Sequence, residues 1–132
     1  MTDTELEIGE VARRAGLRAS AVRYYESRGL VAPERRRGGR RVYGAEAVER
    51  LALIAFAKDL GFSLDDIRTL LFSFPEATPP GERWSGLAEV KLAELDALAE
   101  RIERMRGALR HVAGCRCGDL GQCAKAIAAK RC

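Results

Sequence analysis

The stretch IGEVARRAGLRASAVRYYESRG, running from Ile8 to Gly29, decides the architecture of this chain. Ile8, Val11, Ala12 and Ala15 fall on one helical face, and Gly16 follows where a helix C-cap belongs. Arg18-Ala-Ser20 opens a second helix with Ser20 as its N-cap candidate; Ala21, Val22 and Tyr25 supply its apolar side, and Gly29 ends it. Two short helices across a tight turn are the helix-turn-helix pattern, whose second helix enters the major groove of a duplex.

The residues that follow sharpen this reading. Leu30-Val31-Ala32-Pro33 and Arg41-Val42-Tyr43 are short β-prone runs flanking Glu34 to Arg40, which contains Gly38-Gly39. A Gly-Gly step between two strands signals a hairpin. Its tip carries Arg35, Arg36, Arg37, Arg40 and Arg41. Such a tip has no place in the protein's own core, but it fits over a phosphate backbone.

Charge supports the same partner. Residues 1–12 hold four acids and no base, residues 13–41 hold ten arginines against Glu26 and Glu34, and from residue 42 onward the charges cancel. A basic block confined to one structural unit points to a polyanion, and arginine is the side chain shaped for phosphate and guanine. The 47% hydrophobic and 32% charged residues are a globular mix. No apolar run approaches the roughly 20 residues needed to span a bilayer. The acidic start does not resemble a signal peptide, so the expectation is a soluble cytoplasmic protein.

Ala45 to Leu60 reads as a helix ending at Gly61, and Ser63 caps a further helix through Leu64, Ile67, Leu70 and Leu71. Pro75, Pro79 and Pro80 then break the chain. After Gly81, a seam of Trp84, Ala88, Lys91, Leu95, Leu98, Ile102, Met105, Leu109 and Val112 steps by threes and fours. That is a heptad stripe over roughly 43 Å at ~1.5 Å per residue, which a lone helix cannot bury. The predicted fold is mostly α: a winged helix-turn-helix DNA-binding domain (1–74), a linker (75–81), a long dimerisation helix (82–112) and a cysteine-rich effector loop and tail (113–132).

Val22-Arg-Tyr-Tyr-Glu-Ser-Arg-Gly-Leu30, Arg41-Val-Tyr43 and Leu60-Gly-Phe-Ser-Leu64, spaced as they are, closely resemble the MerR family of bacterial transcription regulators. The resemblance implies a homodimer joined by an antiparallel coiled coil of the long helices, bound to a palindromic double-stranded promoter. It also implies activation by bending and untwisting the DNA, so that RNA polymerase is reached indirectly. Motif by motif, it assigns Arg18, Ser20, Arg23 and Tyr24 to the DNA-facing side of the second helix. Arg35 and Arg41 match wing arginines that hold phosphates, Tyr43 matches the tyrosine that ends the wing, and Tyr25 reads as core.

Four cysteines, Cys115, Cys117, Cys123 and Cys132, lie in the last 18 residues, a grouping that suggests metal or redox chemistry. The loop follows the long helix, where metal- and redox-sensing members of the family keep their effector site. Cys115 and Cys123 resemble the paired cysteines of copper-, silver- and gold-sensing members. Cys115, Cys117 and Cys123 resemble three of the four cysteines that hold a [2Fe-2S] centre in the SoxR branch, but Val112 occupies the place of the first, and Cys132 could substitute only if the tail folded back. Members that answer divalent mercury, zinc or cadmium carry a cysteine at the start of the long helix, where this chain reads Pro79-Pro-Gly-Glu-Arg-Trp84. A soft Cu(I)-like metal ion therefore stands first, an iron–sulfur cluster second and zinc on three thiolates third. His111 reads as a cation at a helix C-terminus. A metal chaperone is the alternative from another class, although it has no use for an arginine wing. An enzyme is not indicated, because no nucleophile–base pairing, carboxylate dyad or phosphate-binding glycine loop is present.

Overall fold

The computed structural model describes residues 5–131; Cys132, one of the four expected thiols, lies outside them. The chain divides into two compact units, one ending at Ser85 and the other beginning at Gly86.

The first unit opens with a short strand β1 (Leu6–Glu7), followed by helices α1 (Ile8–Ala15) and α2 (Ala19–Ser27). Gly16 ends α1 in the left-handed region at φ 72°, and the Leu17 N–H closes the turn on the Ala12 carbonyl at 2.8 Å. The connection is so tight that α2 begins before the expected cap. The Arg18 carbonyl already accepts from Ala21 at 3.0 Å, so Arg18 is the N-cap and Ser20 lies inside the first turn. Gly29, at φ 75°, ends α2 and turns Leu30 into the core.

Strands β2 (Arg35–Arg37) and β3 (Arg40–Tyr43) form the hairpin. Gly38 and Gly39 both have positive φ, at 58° and 81°, as a type I′ turn requires. The pairing runs Arg35↔Val42, Arg36↔Arg41 and Arg37↔Arg40. The outgoing strand does not start at Leu30 as expected. Pro33 has no N–H to give the ladder, so pairing begins with the Glu34 N–H on the Val42 carbonyl at 2.8 Å, while Leu30 and Val31 are buried. On the other edge, β1 adds Leu6↔Tyr43 and Glu7↔Val42, giving the sheet order β1-β3-β2.

Helices α3 (Ala45–Asp59) and α4 (Leu64–Phe72) complete the head. Ser63 and Asp66 form a reciprocal capping box, each side chain accepting from the other's N–H at 3.1 Å. Val11, Val22, Leu30, Tyr43, Leu51, Ile54 and Ile67 are fully buried. Each such aliphatic side chain contributes about 1.5–3 kcal/mol on leaving water.

Helix α5 (Pro80–Ala113) starts on a proline, whose fixed φ and missing N–H suit a first turn. Its opening turn belongs to the first compact unit. Trp84 packs on Phe62 (centroids 5.8 Å) and edge-on to Phe56 (6.2 Å). The Arg83 guanidinium donates to the carbonyls of Leu70, Leu71, Pro75, Glu76 and Thr78 at 3.1–3.2 Å.

In the second unit, α5 buries no side chain, and Leu95, Leu98, Ile102, Met105 and Leu109 are all exposed. The tail is more ordered than a loop. Asp119 accepts from the Gln122 N–H at 2.8 Å and caps a further helix, α6 (Leu120–Ala128).

Candidate functional site

On α2, Val22 faces inward, and Arg18, Ser20, Arg23 and Tyr24 are all exposed. Ser20, Arg23 and Tyr24 stand three and four residues apart and so share one helical face. Tyr24 leaves 51% of its surface in solvent, although a ring of that size usually finds cover. Tyr25 is half-buried beside it, with ring centroids 5.8 Å apart.

The hairpin lifts its arginines clear of the core. Arg35, Arg36, Arg37 and Arg40 are exposed, and Arg41 is half-buried. Several are already engaged within the chain. Glu5 holds Arg35 on one carboxylate oxygen and Arg37 on the other at 2.7 Å; Glu7 meets Arg40 at 3.3 Å, and Glu26 meets Arg41 at 2.9 Å. These acids were missed in the sequence. The acid-rich start was visible there, but only the pairing of β1 with β3 brings it to the wing.

Tyr43 requires a correction. It has no exposed surface and cannot touch DNA in this conformation. Its hydroxyl donates to Glu26 Oε1, and burial, with Glu26 beside it, pushes the phenol well above its ordinary pKa. Glu26 therefore joins α2 to β3 through Tyr43 and Arg41, and so sets where the wing stands relative to the helix. Nearby on α1, Arg14 and Arg13 hold the Glu10 carboxyl below the usual carboxylate range.

The thiols gather between α5 and α6. The Cys115 N–H bonds the Val112 carbonyl at 3.1 Å as α5 ends, and Cys123 stands in the first turn of α6. The Gly118 N–H donates to Gln122 Oε1 at 3.0 Å, folding the loop back on α6. The Cys115, Cys117 and Cys123 sulfurs lie within 4.8 Å of one another, with Cys115 and Cys117 in contact at 2.8 Å. The Cys117 N–H also donates to Cys115 Sγ at 3.2 Å. An open hollow of about 610 Å³ adjoins the cluster, lined by Arg110, His111, Arg116 and Arg131. His111 stands in the last turn of α5, outside the sulfur group.

Residues 6–73 match the MerR HTH family regulatory protein model, and residues 48–112 match the MerR DNA-binding model. The chain belongs to the MerR family. It is 33% identical over 124 residues (93% of this chain, 84% of the relative) to the HTH-type transcriptional activator SoxR homolog of Chromobacterium violaceum. It is 34% identical over 119 residues (89% and 92%) to the HTH-type transcriptional regulator HmrR of Rhizobium leguminosarum bv. viciae. Among solved structures it resembles the transcription regulator PbrR691 of Ralstonia metallidurans CH34 in complex with Lead(II). That match has a TM-score of 0.70 and 27% identity, and covers 82% of this chain and 85% of that one. This MerR-family chain is thus a DNA-binding transcription regulator and not an enzyme. Among the described residues, no helix is long and apolar enough to cross a membrane.

The donor set of this MerR-family regulator suits one thiophilic ion. Two thiolates on an ion at about 2.3 Å each stand at most about 4.6 Å apart, and these sulfurs all lie within 4.8 Å of one another. A [2Fe-2S] cluster takes four protein ligands. The described residues bring three thiols together, and Val112 stands where the fourth is sought.

Proposed function

We propose that the chain works as a homodimeric regulator on a palindromic promoter, activating by DNA distortion when a soft, Cu(I)-like metal ion binds Cys115, Cys117 and Cys123. One observation carries this reading: three sulfurs within 4.8 Å of one another, immediately after the long helix. A soft ion suits thiolate donors, whereas Mg²⁺ or Ca²⁺ would require oxygen. The Lead(II) named with PbrR691 supports the soft-metal class.

The chain's own residues supply the rest. Arg18, Ser20, Arg23 and Tyr24 enter the major groove, and Arg35 and Arg41 hold the flanking phosphates. A second copy covers the exposed seam of α5, and Lys91 on that seam is paired along its own helix with Glu94 at 2.8 Å. Cys115, Cys117 and Cys123 would hold the ion through their sulfurs, which lie within 4.8 Å of one another. Because Cys115 and Cys117 lie in the loop after α5 and Cys123 lies within α6, a shared ion would couple that loop to α6. DNA bending of the implied size costs a few kcal/mol, within reach of differential effector binding.

A [2Fe-2S] redox centre is the second reading, favoured by the likeness to the SoxR homolog along 93% of this chain. Elemental analysis and visible absorption of anaerobically purified protein separate the two. Copper or silver bound in a colourless protein, together with metal-dependent transcription in vitro, is the expected result. Iron with a visible charge-transfer spectrum would replace the first reading by the second. Metal binding without sequence-selective DNA binding would point to a metal-handling protein instead.

A further inference from the structure

Four of the five wing arginines meet a carboxylate of their own chain. Glu5 spans Arg35 and Arg37, Glu7 reaches Arg40, and Glu26 takes Arg41. The Glu26 pair is half-buried and tied to Tyr43, so it belongs to the frame of the head. The Glu5 and Glu7 pairs differ, because they sit at the edge strand β1 on arginines whose side chains are 58–75% exposed. A carboxylate between two guanidiniums offers them a pair of anionic oxygens, as a phosphate would.

We propose that Glu5, assisted by Glu7, is an intramolecular stand-in for DNA phosphate that sets how tightly the wing binds any duplex. The inference rests on the reading that the wing arginines hold phosphates. In the free protein the wing is closed on β1, and DNA binding is an exchange: phosphate oxygens take Arg35 and Arg37, and Glu5 is left facing the polyanion. Exposed ion pairs are individually weak, so the exchange costs little. The displaced negative charge then opposes the duplex field wherever the protein lands. Glu5 thereby lowers sequence-independent affinity, the term through which competing genomic sites act.

A carboxylate that instead held the arginines in the pose DNA requires would give the opposite sign. The experiment measures binding of the full chain to a fluorescent duplex of random sequence across a salt series, for wild type, Glu5→Gln, Arg35→Ala, the double variant Arg35→Ala/Arg37→Ala, and that double variant carrying Glu5→Gln. Glu100→Gln, an exposed acid on α5, controls for net charge. Circular dichroism confirms that each variant is folded. Glu5→Gln is expected to tighten binding about three- to tenfold at low salt, with a salt slope steeper by about one unit. The gain should vanish at high salt and in the double-arginine background, and Glu100→Gln should show little of it. Unchanged or weaker binding by Glu5→Gln, with Arg35→Ala still impaired, overturns the stand-in and leaves the wing reading intact. Full affinity in Arg35→Ala overturns the wing reading and this inference with it.

Discussion

The wholly buried Tyr43 hydroxyl donates to the Glu26 carboxylate across the gap between β3 and α2. The other carboxylate oxygen holds Arg41 at 2.9 Å. One acid therefore secures both the last strand of the wing and the second helix of the helix-turn-helix.

Tyr43→Phe removes this bond while keeping the ring. A hydrogen bond to a charged group contributes about 1.5–3 kcal/mol, so urea denaturation should give a loss of that size with the fold retained. Raising the pH tests the same contact. The phenol's pKa is raised in the native state, so the contact contributes fully below the unfolded value near 10 and is lost as pH climbs through the higher native value. Wild-type stability should therefore fall above about pH 10, and Tyr43→Phe should lack that component of the fall.

Arg83→Ala strips five carbonyls of a donor where α4, the proline-rich turn and α5 meet. The expected cost is about 2–3 kcal/mol by urea denaturation, with new protease cleavage between residues 73 and 79. Lysine offers a compact ammonium in place of the planar fork, so Arg83→Lys should recover little of the loss. Full rescue by lysine would mean that charge alone holds the joint.

The features that could be read in the sequence are those set by neighbours along the chain. Gly16 announces its left-handed turn, Gly38-Gly39 its I′ hairpin, Ser63 its cap, and the apolar period of α5 its stripe. What escaped depends on distant partners or on competition. Pro33 delays β2, and the tightness of the turn at Gly16 moves the α2 cap from Ser20 to Arg18. A two-residue strand such as β1 has no period to detect, so Glu5 could not be assigned to Arg35 and Arg37 from sequence. Tyr43 closes the wing motif as expected, yet sequence gave no sign that it faces inward onto Glu26.

Arg23→Ala and Arg35→Ala should fail differently on DNA. Arg23 is exposed on α2 and is assigned to the groove; its loss should cost about 1–3 kcal/mol on a duplex selected by the protein, and much less on random sequence. Arg35, on the wing, should weaken both duplexes alike and flatten the salt dependence by about one unit. Competition binding with the two duplexes checks the contrast, and equal losses for Arg23→Ala would remove it from sequence readout.

The three thiols should not be equivalent. Cys115 and Cys117 touch at 2.8 Å, closer than the roughly 4.6 Å between two thiolates on opposite sides of one ion. They therefore cannot be the opposed pair without moving apart. Cys115, in the loop just after α5, and Cys123, on α6, come from different elements and would take opposite sides. Serine at either should abolish Cu(I) binding, measured by competition with a coloured chelator, and with it metal-dependent transcription. Affinity of the metal-free protein for its selected duplex should be unchanged, because neither residue belongs to the head. Cys117→Ser should weaken the hold on the metal less, because the other two thiolates still bind it. Equal abolition by all three serines would make Cys117 as necessary a ligand as the other two.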